Sequence, residues 1–341
     1  MLAMVCLPHG RAVALAAQRP TARHFIAGRV VVEHVIGDSD GIRLQRPSAI
    51  TAANGNIFVY DRGTKSVTAL SSVGKPLWTY ARSRAGGGAF TDVFDMKTSW
   101  NGDLLVLDEP ASDPNGRVTV VDPRGQLRTE APAPEEMRSL LPPFGGATSA
   151  GVPVGTETMW VSIGGGGKAP ARQPFPPSIS FPKNVVGDPL TATTDSGAAI
   201  AYRWSSQIVL LRRDGSVQQV LPGVEAIPFP GVKMYPITIP GATAATITRV
   251  DPKAVPCAVS VTAFGNQLYV VFAGASKDRG RIIDLYDIAK GQYTGSYMLP
   301  VKPRMIAALP GGRLVTLEDD LEPVIKIWSL SVPGSPRGGA P

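Results

Sequence analysis

The stretch Asn54-Gly55-Asn56-Ile57-Phe58-Val59-Tyr60-Asp61 decides the fold of this chain, because it joins a glycine turn, a short apolar strand and a closing acid. The turn and the strand recur five more times, at 101–108, 155–161, 196–202, 265–271 and 311–318. The strands repeat with a mean spacing of about 51 residues, and a repeat of that length is typical of one four-stranded propeller blade. The sequence therefore predicts six such units.

Most units continue with a second half that predicts two more strands joined by a tight turn. Glycine stands at the third place of four of these turns, at Gly74, Gly125, Gly215 and Gly291. Glycine there supplies the positive φ that a hairpin turn requires. The third unit departs from the pattern, because the Gly/Pro-rich stretch 164–177 replaces the start of its third strand.

The two ends of the chain predict how the ring of units closes. The sixth unit lacks a fourth strand, because only a Gly/Pro-rich tail follows its third strand at 324–330. The segment Arg29-Val30-Val31-Val32-Glu33-His34-Val35-Ile36 is a spare strand ahead of the first unit. Pairing it with 324–330 would remove an exposed sheet edge. We therefore expect an all-β, six-bladed β-propeller over residues 23–332, closed by an N-terminal strand and followed by a disordered tail at 333–341.

These residues resemble the six-bladed β-propellers of the NHL-repeat and TolB-like kind. The segment 54–61 is similar to the glycine turn, strand and aspartate of that family, and 65–70 with 73–77 is similar to its next strand and turn. The resemblance covers roughly residues 29–330. It implies the fold more strongly than an activity, since propellers host unrelated functions. Family members act as ligand-binding or protein-binding platforms, and a minority are enzymes.

Composition excludes several other classes of protein. Glycine (37) and proline (32) make the 341-residue chain rich in turns, yet below the range of about 25–30% that is typical of low-complexity chains. Hydrophobic residues make up 43% and charged residues 18%, so a sizeable core is possible. No apolar run reaches the ~18 residues that a membrane-spanning helix needs.

The net charge of +7 raises the question of an anionic partner. No run of lysine and arginine exceeds two residues, whereas nucleic-acid-binding proteins concentrate charge on a patch or stripe. We therefore expect no nucleic-acid partner.

Residues 1–22 are similar either to a signal peptide or to a disordered N-terminal segment. Two apolar runs, at 2–7 and 12–17, flank Pro8-His9-Gly10-Arg11, and Ala14-Leu15-Ala16 is of the small-x-small type that a signal peptidase accepts. No positive charge precedes the first apolar run, which departs from the signal-peptide pattern. We expect an exported protein, periplasmic or secreted.

Acids close the second strand of three units, at Asp61, Asp108 and Glu318, and oxygen ligands from separate blades could converge on a central cation. By the resemblance, the gluconolactonase branch of six-bladed propellers holds such a metal, but its Glu-Gly-Pro motif is absent here. The alternative is that each acid ends its strand and accepts hydrogen bonds from loop amides. We favour that alternative and expect no metal and no cofactor.

Nucleophilic and imidazole chemistry have little support in the sequence. Cys257 has no histidine nearby in sequence, and all three histidines lie at the N-terminus. We therefore expect Cys257 to be a small buried hydrophobic residue.

Loops that converge at one mouth of a propeller channel are the expected ligand site. In this repeat, loops between second and third strands carry Asp61-Arg62, Arg203-Trp204 and Lys277-Asp278-Arg279, and Arg46 and Arg304 stand just before first strands. Arginines there would suit a carboxylate or phosphate through forked hydrogen bonds. The alternative is that each arginine pairs locally with an acid. The candidate ligand-binding residues are Arg46, Asp61, Arg62, Asp108, Arg203, Trp204 and Arg304.

The sequence thus predicts a monomeric, non-catalytic β-propeller that binds a protein or a small anionic ligand. Two alternatives stay open. One is a metal-dependent enzyme of the lactonase or hydrolase type, and the other is a structural subunit of an envelope complex.

Overall fold

The computed structural model describes residues 20, 22–37, 41–81, 90–109, 116–133, 139–142, 149–154, 157–162, 172–174, 189–237, 245–318 and 323–331. The first strands in chain order are β1 (Arg29–Ile36), β2 (Pro47–Ala53), β3 (Asn56–Asp61), β4 (Ser66–Leu70), β5 (Pro76–Ala81), β6 (Asp92–Thr98), β7 (Leu104–Glu109), β8 (Arg117–Val121), β9 (Leu127–Pro132), β10 (Ser149–Val154), β11 (Glu157–Ser162) and β12 (Arg172–Pro174). The remaining strands are β13 (Pro189–Thr194), β14 (Gly197–Tyr202), β15 (Ser205–Arg212), β16 (Val217–Pro222), β17 (Val232–Ile237), β18 (Ala245–Val250), β19 (Ala258–Phe264), β20 (Gln267–Phe272), β21 (Ile282–Asp287), β22 (Gln292–Met298), β23 (Pro303–Leu309), β24 (Arg313–Glu318) and β25 (Val324–Ser331).

Five four-stranded antiparallel sheets form the blades of a β-propeller in the described part of the chain. Blade one is β2–β5, blade two is β6–β9, blade three is β13–β16 and blade four is β19–β22. Blade five consists of β23, β24, β25 and, on the outside, β1. The insert between blades three and four adds a separate hairpin, β17 and β18.

The first strands of the five blades pack side by side around the axis. β2 packs against β6, β13 against β19, β19 against β23 and β23 against β2, while β6 and β13 share a smaller contact. At that smaller contact, Thr193 Oγ1 donates a hydrogen bond to Thr98 O at 2.7 Å. Because these contacts return to β2 after five blades, the described residues form a five-bladed ring, and the predicted count of six was wrong.

The third sequence unit is the one that does not become a blade. Its strands β10, β11 and β12 form a three-stranded sheet of their own, to which β12 contributes only Arg172–Pro174. The Gly/Pro-rich stretch 164–177, most of which lies outside the described residues, offers no apolar run for a third and a fourth strand. Glycine weakens a strand and proline cannot donate to a sheet ladder, so the unit cannot build the blade that its first half predicts.

A short segment seals the seam between blades two and three. Leu140 is fully buried in the core of blade two, and Leu141 is fully buried in that of blade three. Asp95 of β6 holds the segment in place, because its Oδ2 accepts hydrogen bonds from Leu140 N at 2.8 Å and Ser139 Oγ at 3.1 Å. Two leucines thus cover the seam at which the missing unit was predicted.

The second strand of a blade is buried on both faces, which explains its continuous apolar sequence. In blade one, Ile57 and Val59 belong to the core shared with blade five, whereas Phe58 and Tyr60 belong to the core shared with blade two. Successive side chains of a strand point to opposite faces, so one strand contributes side chains to two cores. The apolar run at 57–60 is therefore the signature of a blade between two neighbours.

Contacts between neighbouring blades also explain a tryptophan and a turn glycine. Trp78 of blade one lies against the turn of blade two, where its Nε1 donates to Pro123 O at 2.9 Å. Gly125 in that turn has a φ of 83°, and a Cβ there would lie 2.7 Å from the Trp78 ring. This tryptophan packs between blades, as the repeat would require.

The N-terminal strand β1 pairs antiparallel with β25. The register runs from Arg29 opposite Ser331 to Ile36 opposite Ile325, so the two ends of the described chain share one sheet. The pairing is the one proposed from the sequence for 29–36. That this pairing is what keeps the ring closed stays a prediction.

Residues ahead of β1 form an edge segment, 23–26, on the outer strand of blade four. Phe25 forms a parallel bridge with Ser296 of β22. Ile26 N donates to Ser296 O at 2.9 Å, and Ser296 N donates to His24 O at 2.9 Å. The edge segment therefore ties blade four to β1 in blade five.

Arg23 fixes the start of the edge segment through a buried ion pair. Its guanidinium donates twice to the Asp284 carboxylate, with both distances 2.8 Å, and once to Glu225 at 2.5 Å. The same group lies 4.0 Å from the centre of the Phe272 ring. Only 9% of the Arg23 side chain is exposed, so this charge belongs to the scaffold.

Candidate functional site

Antiparallel strands place alternate loops of a blade on the same face of the ring. The segments that precede first strands and the turns between second and third strands therefore share one face, called here the upper face. Two hydrogen bonds join such segments: Arg62 N donates to Arg46 O at 3.0 Å, and Cys257 N donates to Arg203 O at 2.6 Å. The turns between first and second strands lie on the opposite, lower face.

A central cavity of about 560 Å³ runs along the axis between the first strands of all five blades. Its volume falls in the range of roughly 300–1,000 Å³ that is typical of small-molecule sites. The lining extends from Arg304, near the start of β23, to Phe264, at the end of β19. The central cavity therefore reaches from the upper face to the lower face.

The wall of the central cavity is rich in backbone polar groups. Each first strand pairs only with the second strand of its own blade, so its other edge turns N–H and C=O groups toward the axis or the next blade. Side-chain hydroxyls accept hydrogen bonds from some of these N–H groups. Ser260 Oγ accepts from Ile306 N at 3.1 Å, and Thr262 Oγ1 accepts from Ala308 N at 3.0 Å. These bonds also join blade four to blade five.

Three of the predicted arginines line the upper end of the cavity, and together they define its upper mouth: Arg62, Arg203 and Arg304. Arg62 is about half exposed and forms an ion pair with Asp92. Arg304 reaches across the seam to blade one and donates to Ser48 O at 3.0 Å. Blades one, three and five thus each contribute one guanidinium to the upper mouth.

The described lining of the cavity carries more positive than negative side chains. Its charged members are Arg62, Lys97, Arg203, Arg213 and Arg304, with Asp95 and Asp195. Five basic and two acidic groups leave a net positive cavity, which attracts anions.

The other predicted ligand-binding residues lie elsewhere. Arg46 is exposed on the upper face, and neither Arg46 nor Trp204 is among the described residues that line the cavity. Asp61 is only 1% exposed. Its Oδ1 accepts from Arg46 N at 2.9 Å and Gly63 N at 2.7 Å, and its Oδ2 accepts from Gln45 N at 2.6 Å. Asp61 therefore holds the loop amides, which is the role that we favoured for the strand-end acids.

Asp108 and Glu318 are also engaged within their own blades. Asp108 is fully buried, and Arg117 donates to its two oxygens at 2.8 and 2.9 Å. Glu318 accepts from Lys326 Nζ at 2.7 Å. Across the described residues, no group of three or more His, Cys, Asp and Glu side chains is placed to hold a metal ion.

A lysine lies in the wall, between the two ends of the cavity. Lys97 Nζ is 2.5 Å from Asp95 Oδ1 and 3.2 Å from Met96 O, and 12% of the side chain is exposed. Asp95 thus serves both Lys97 and the segment that begins at Ser139. Sequence reasoning missed this pair, because the alternation of β6 does not tell which side chains reach the axis.

The lower mouth of the cavity, formed by Asn54, Trp100, Asp195, Arg213 and Phe264, is aromatic. The Arg213 guanidinium lies 5.1 Å from the Trp100 ring centre and donates to Asp195 O at 2.8 Å. Phe264 is 41% exposed. Trp100 is partly buried, packs against the core of blade three and donates from Nε1 to Thr194 O at 2.9 Å, as the packing role predicted for the tryptophans requires. Sequence reasoning missed Phe264, although an aromatic residue at the end of a first strand was an available signal.

Two buried tyrosines, Tyr60 and Tyr202, lie at the ends of second strands, just before the turns that carry Arg62 and Arg203. Burial raises the pKa of Tyr60 to about 12. Burial also raises the pKa of Tyr202 far above its ordinary value. Both phenols therefore stay neutral near pH 7, and neither serves as a base there.

Other sequence predictions fall on residues in different settings. Cys257 is buried, 7% exposed, in agreement with the hydrophobic role expected of it. The segments 1–19 and 332–341 lie outside the described residues. Among those that are described, no helix is long and apolar enough to span a bilayer.

Comparisons with known proteins agree with the propeller fold and go no further. No protein-family model matches this sequence, and no curated protein is similar to it. Among solved structures, the chain is similar to the β-propeller domain of Cps50 (Swd1) from Myceliophteria thermophila, at 12% identity and a TM-score of 0.48 over 85% of this chain and 99% of that one.

Two other similar structures illustrate how widely the shape is shared. Virginiamycin B lyase from Staphylococcus aureus is 10% identical with a TM-score of 0.45, over 88% of this chain and 99% of its own. BamB from Moraxella catarrhalis is 10% identical with a TM-score of 0.41, over 88% and 98%. Likenesses at this level carry no argument about activity, and the resemblance to NHL-repeat and TolB-like proteins stays a prediction.

Proposed function

We propose that this protein is a non-catalytic binding β-propeller that holds a carboxylate or phosphate at the upper mouth of its central cavity. The observation that carries the proposal is the convergence of Arg62, Arg203 and Arg304, from three separate blades, on one end of one cavity. A planar guanidinium donates two parallel hydrogen bonds to such an anion, so three of them favour a ligand with more than one acidic oxygen pair.

The surroundings of the upper mouth support anion binding. The lining is net positive, and the Arg62–Asp92 pair is exposed to solvent on both sides. Exposed ion pairs contribute only about 0–1 kcal/mol, so an incoming anion competes with Asp92 at little cost. Binding should therefore weaken as salt concentration rises.

The chemistry of the buried acids favours binding over catalysis. The Asp61 carboxylate accepts hydrogen bonds from backbone amides, and the Asp108 carboxylate accepts them from Arg117. The neighbouring Tyr60 stays a neutral phenol, because burial raises its pKa to about 12. A general base needs access to the substrate, and Asp61 and Asp108 are buried and hydrogen-bonded within the scaffold.

Calorimetric titration with citrate, a tricarboxylate probe, tests the proposal. The variant Arg62→Gln/Arg203→Gln should bind citrate at least about tenfold more weakly than the wild type, since each lost charge-assisted bond is worth about 1.5–3 kcal/mol. The matched control is Arg46→Gln/Arg279→Gln, which removes two exposed charges outside the cavity lining. It should bind citrate as the wild type does.

Equal affinity in the two double variants would overturn the proposal. Thermal melting of each variant shows whether it is folded. A physiological partner can be sought by affinity capture of the processed protein from its native cells. If the Arg62→Gln/Arg203→Gln variant kept full affinity for that partner, binding would lie elsewhere, for example on the insert 223–256 that contains β17 and β18.

We also propose that the protein acts outside the cytoplasm, in the periplasm or after secretion. The support is the pair of apolar runs and the small-x-small sites in residues 1–22. Amino-terminal sequencing of the protein purified from its native cells is the test. A mature chain that begins near Gln18 fits the proposal, and an intact Met1 end contradicts it.

A further inference from the structure

The two mouths of the central cavity differ in chemistry. The upper mouth presents three arginines, whereas the lower mouth presents the exposed ring of Phe264 and the partly buried ring of Trp100, which packs between blades two and three. A ligand that binds only through an acidic group would use one end of the cavity and leave the Phe264 ring at the other end exposed. The lower mouth therefore indicates a second recognition element on the same ligand.

Hydrogen bonds between β19 and β23 give the distance between the two mouths. Ser260 lies beside Ile306, and Thr262 lies beside Ala308. By the same register, Arg304 is level with the start of β19 at Ala258, six residues before Phe264. At about 3.3 Å per residue, the two ends of the cavity are roughly 20 Å apart.

The wall between the mouths suits one kind of elongated ligand. Each first strand has one edge without a strand partner, and an extended peptide pairs with such an edge through its own backbone. At β23, Ile306 N and Ala308 N already donate to hydroxyls of blade four, so the peptide would use the remaining edge groups. The Lys97–Asp95 ion pair adds polar groups part-way along. An extended peptide of about six residues covers roughly 20 Å, which matches the length of the cavity.

We propose that the ligand is an extended peptide segment, with an acidic group at the upper mouth and an aromatic side chain about five residues away at the lower mouth. This inference rests on the proposed function for the acidic end and adds the ring, the spacing and the polymer class. The ring would lie against Phe264 and Trp100, where stacked or edge-on aromatic contacts add to the burial of apolar surface.

Three synthetic six-residue peptides test the two ends separately. The parent begins with tryptophan, continues with alternating glycine and serine, and ends in aspartate. One companion has alanine in place of tryptophan, and the other ends in amidated asparagine and carries no acidic group. The parent should bind the wild-type protein about tenfold more tightly than either companion, by fluorescence anisotropy with a labelled serine in the middle.

Protein variants then locate the ring. Phe264→Ala should weaken binding of the parent about tenfold and leave the alanine companion unchanged. The matched control is Phe25→Ala, which removes another exposed ring outside the cavity lining and should leave both affinities unchanged. Because Phe264 is 41% exposed, its replacement should leave the melting temperature close to that of the wild type.

The possible outcomes distinguish failure of the peptide proposal from failure of the proposed anion site. If the parent and the alanine companion bind equally, while binding still requires the terminal acid and Arg203, the aromatic end is wrong and the anion site stands. If neither acidic peptide nor citrate binds, both proposals fall. If trigalacturonate binds in a Phe264-dependent way and the peptides do not, the ligand is an acidic sugar and the peptide assignment is overturned.

Discussion

Asp61 and Arg62 are neighbours in the sequence but belong to two different regions of the molecule. Asp61 is 1% exposed and accepts hydrogen bonds from the backbone of the loop above it. Arg62, one residue later, lies in the turn on the upper face, is about half exposed and lines the central cavity. Burial, rather than the sign of the charge, therefore separates the ionic side chains that hold the fold together from those at the candidate site.

The same division holds in the other blades. Asp108 with Arg117, and Asp284 with Arg23, are buried pairs that do not line the cavity. Arg203 and Arg304 are partly exposed and line the cavity. Buried charges should therefore control stability, whereas charges at the upper mouth should control binding.

The largest effect is expected from the buried pair of blade two. Asp108→Asn should lower the free energy of unfolding by about 3–4 kcal/mol, because the buried Arg117 loses its bidentate carboxylate and keeps only Glu130, 4.0 Å away. Urea denaturation measures the change. Citrate affinity of the folded fraction should stay at the wild-type value, and a selective loss of binding would break the division.

A buried cation should behave like the buried acid. Arg23→Met keeps a long apolar side chain over Phe272 but leaves Asp284 without its bidentate partner. We expect a loss of about 2–3 kcal/mol in unfolding free energy. Arg29→Met, an exposed arginine six residues later, is the control, and it should stay within about 0.5 kcal/mol of the wild type. Equal stability of the two variants would show that the edge segment is not part of the scaffold.

The smallest stability effect is expected at the upper mouth. Asp92→Asn removes the partner of Arg62 from a pair that is 47% exposed on both sides, so the unfolding free energy should change by less than about 1 kcal/mol. Citrate affinity should rise several-fold, because Arg62 no longer has a competing carboxylate. Unchanged or weaker citrate binding would argue that Arg62 does not contact the ligand.

The strands and hairpin turns were predictable from local sequence. The apolar run at 57–60, with glycine turns such as those at Gly74 and Gly125, carries the period and the positive φ that strands and turns require. The number of blades was not predictable in this way. Whether the unit at 155–161 joins the ring depends on how β6 meets β13 and on the leucines at 140–141, and these are contacts between distant segments.

The candidate site was predictable in part for a related reason. Arg62, Arg203 and Arg304 lie in or beside loops, and loop positions follow from the order of strands. Lys97 and Phe264 lie on first strands, where side chains divide between the seams and the axis. Which side chains face the axis depends on the tilt and packing of the assembled ring, so the alternation along one strand does not predict it.

Arginine footprinting of the unmodified protein tests anion binding at the upper mouth without any substitution. Phenylglyoxal labels accessible guanidinium groups, and mass spectrometry compares the labelling of each arginine with and without saturating citrate. We expect citrate to protect Arg62 and Arg203 and to leave Arg46 and Arg279 unchanged. Equal protection of all four arginines, or protection of none, would contradict it.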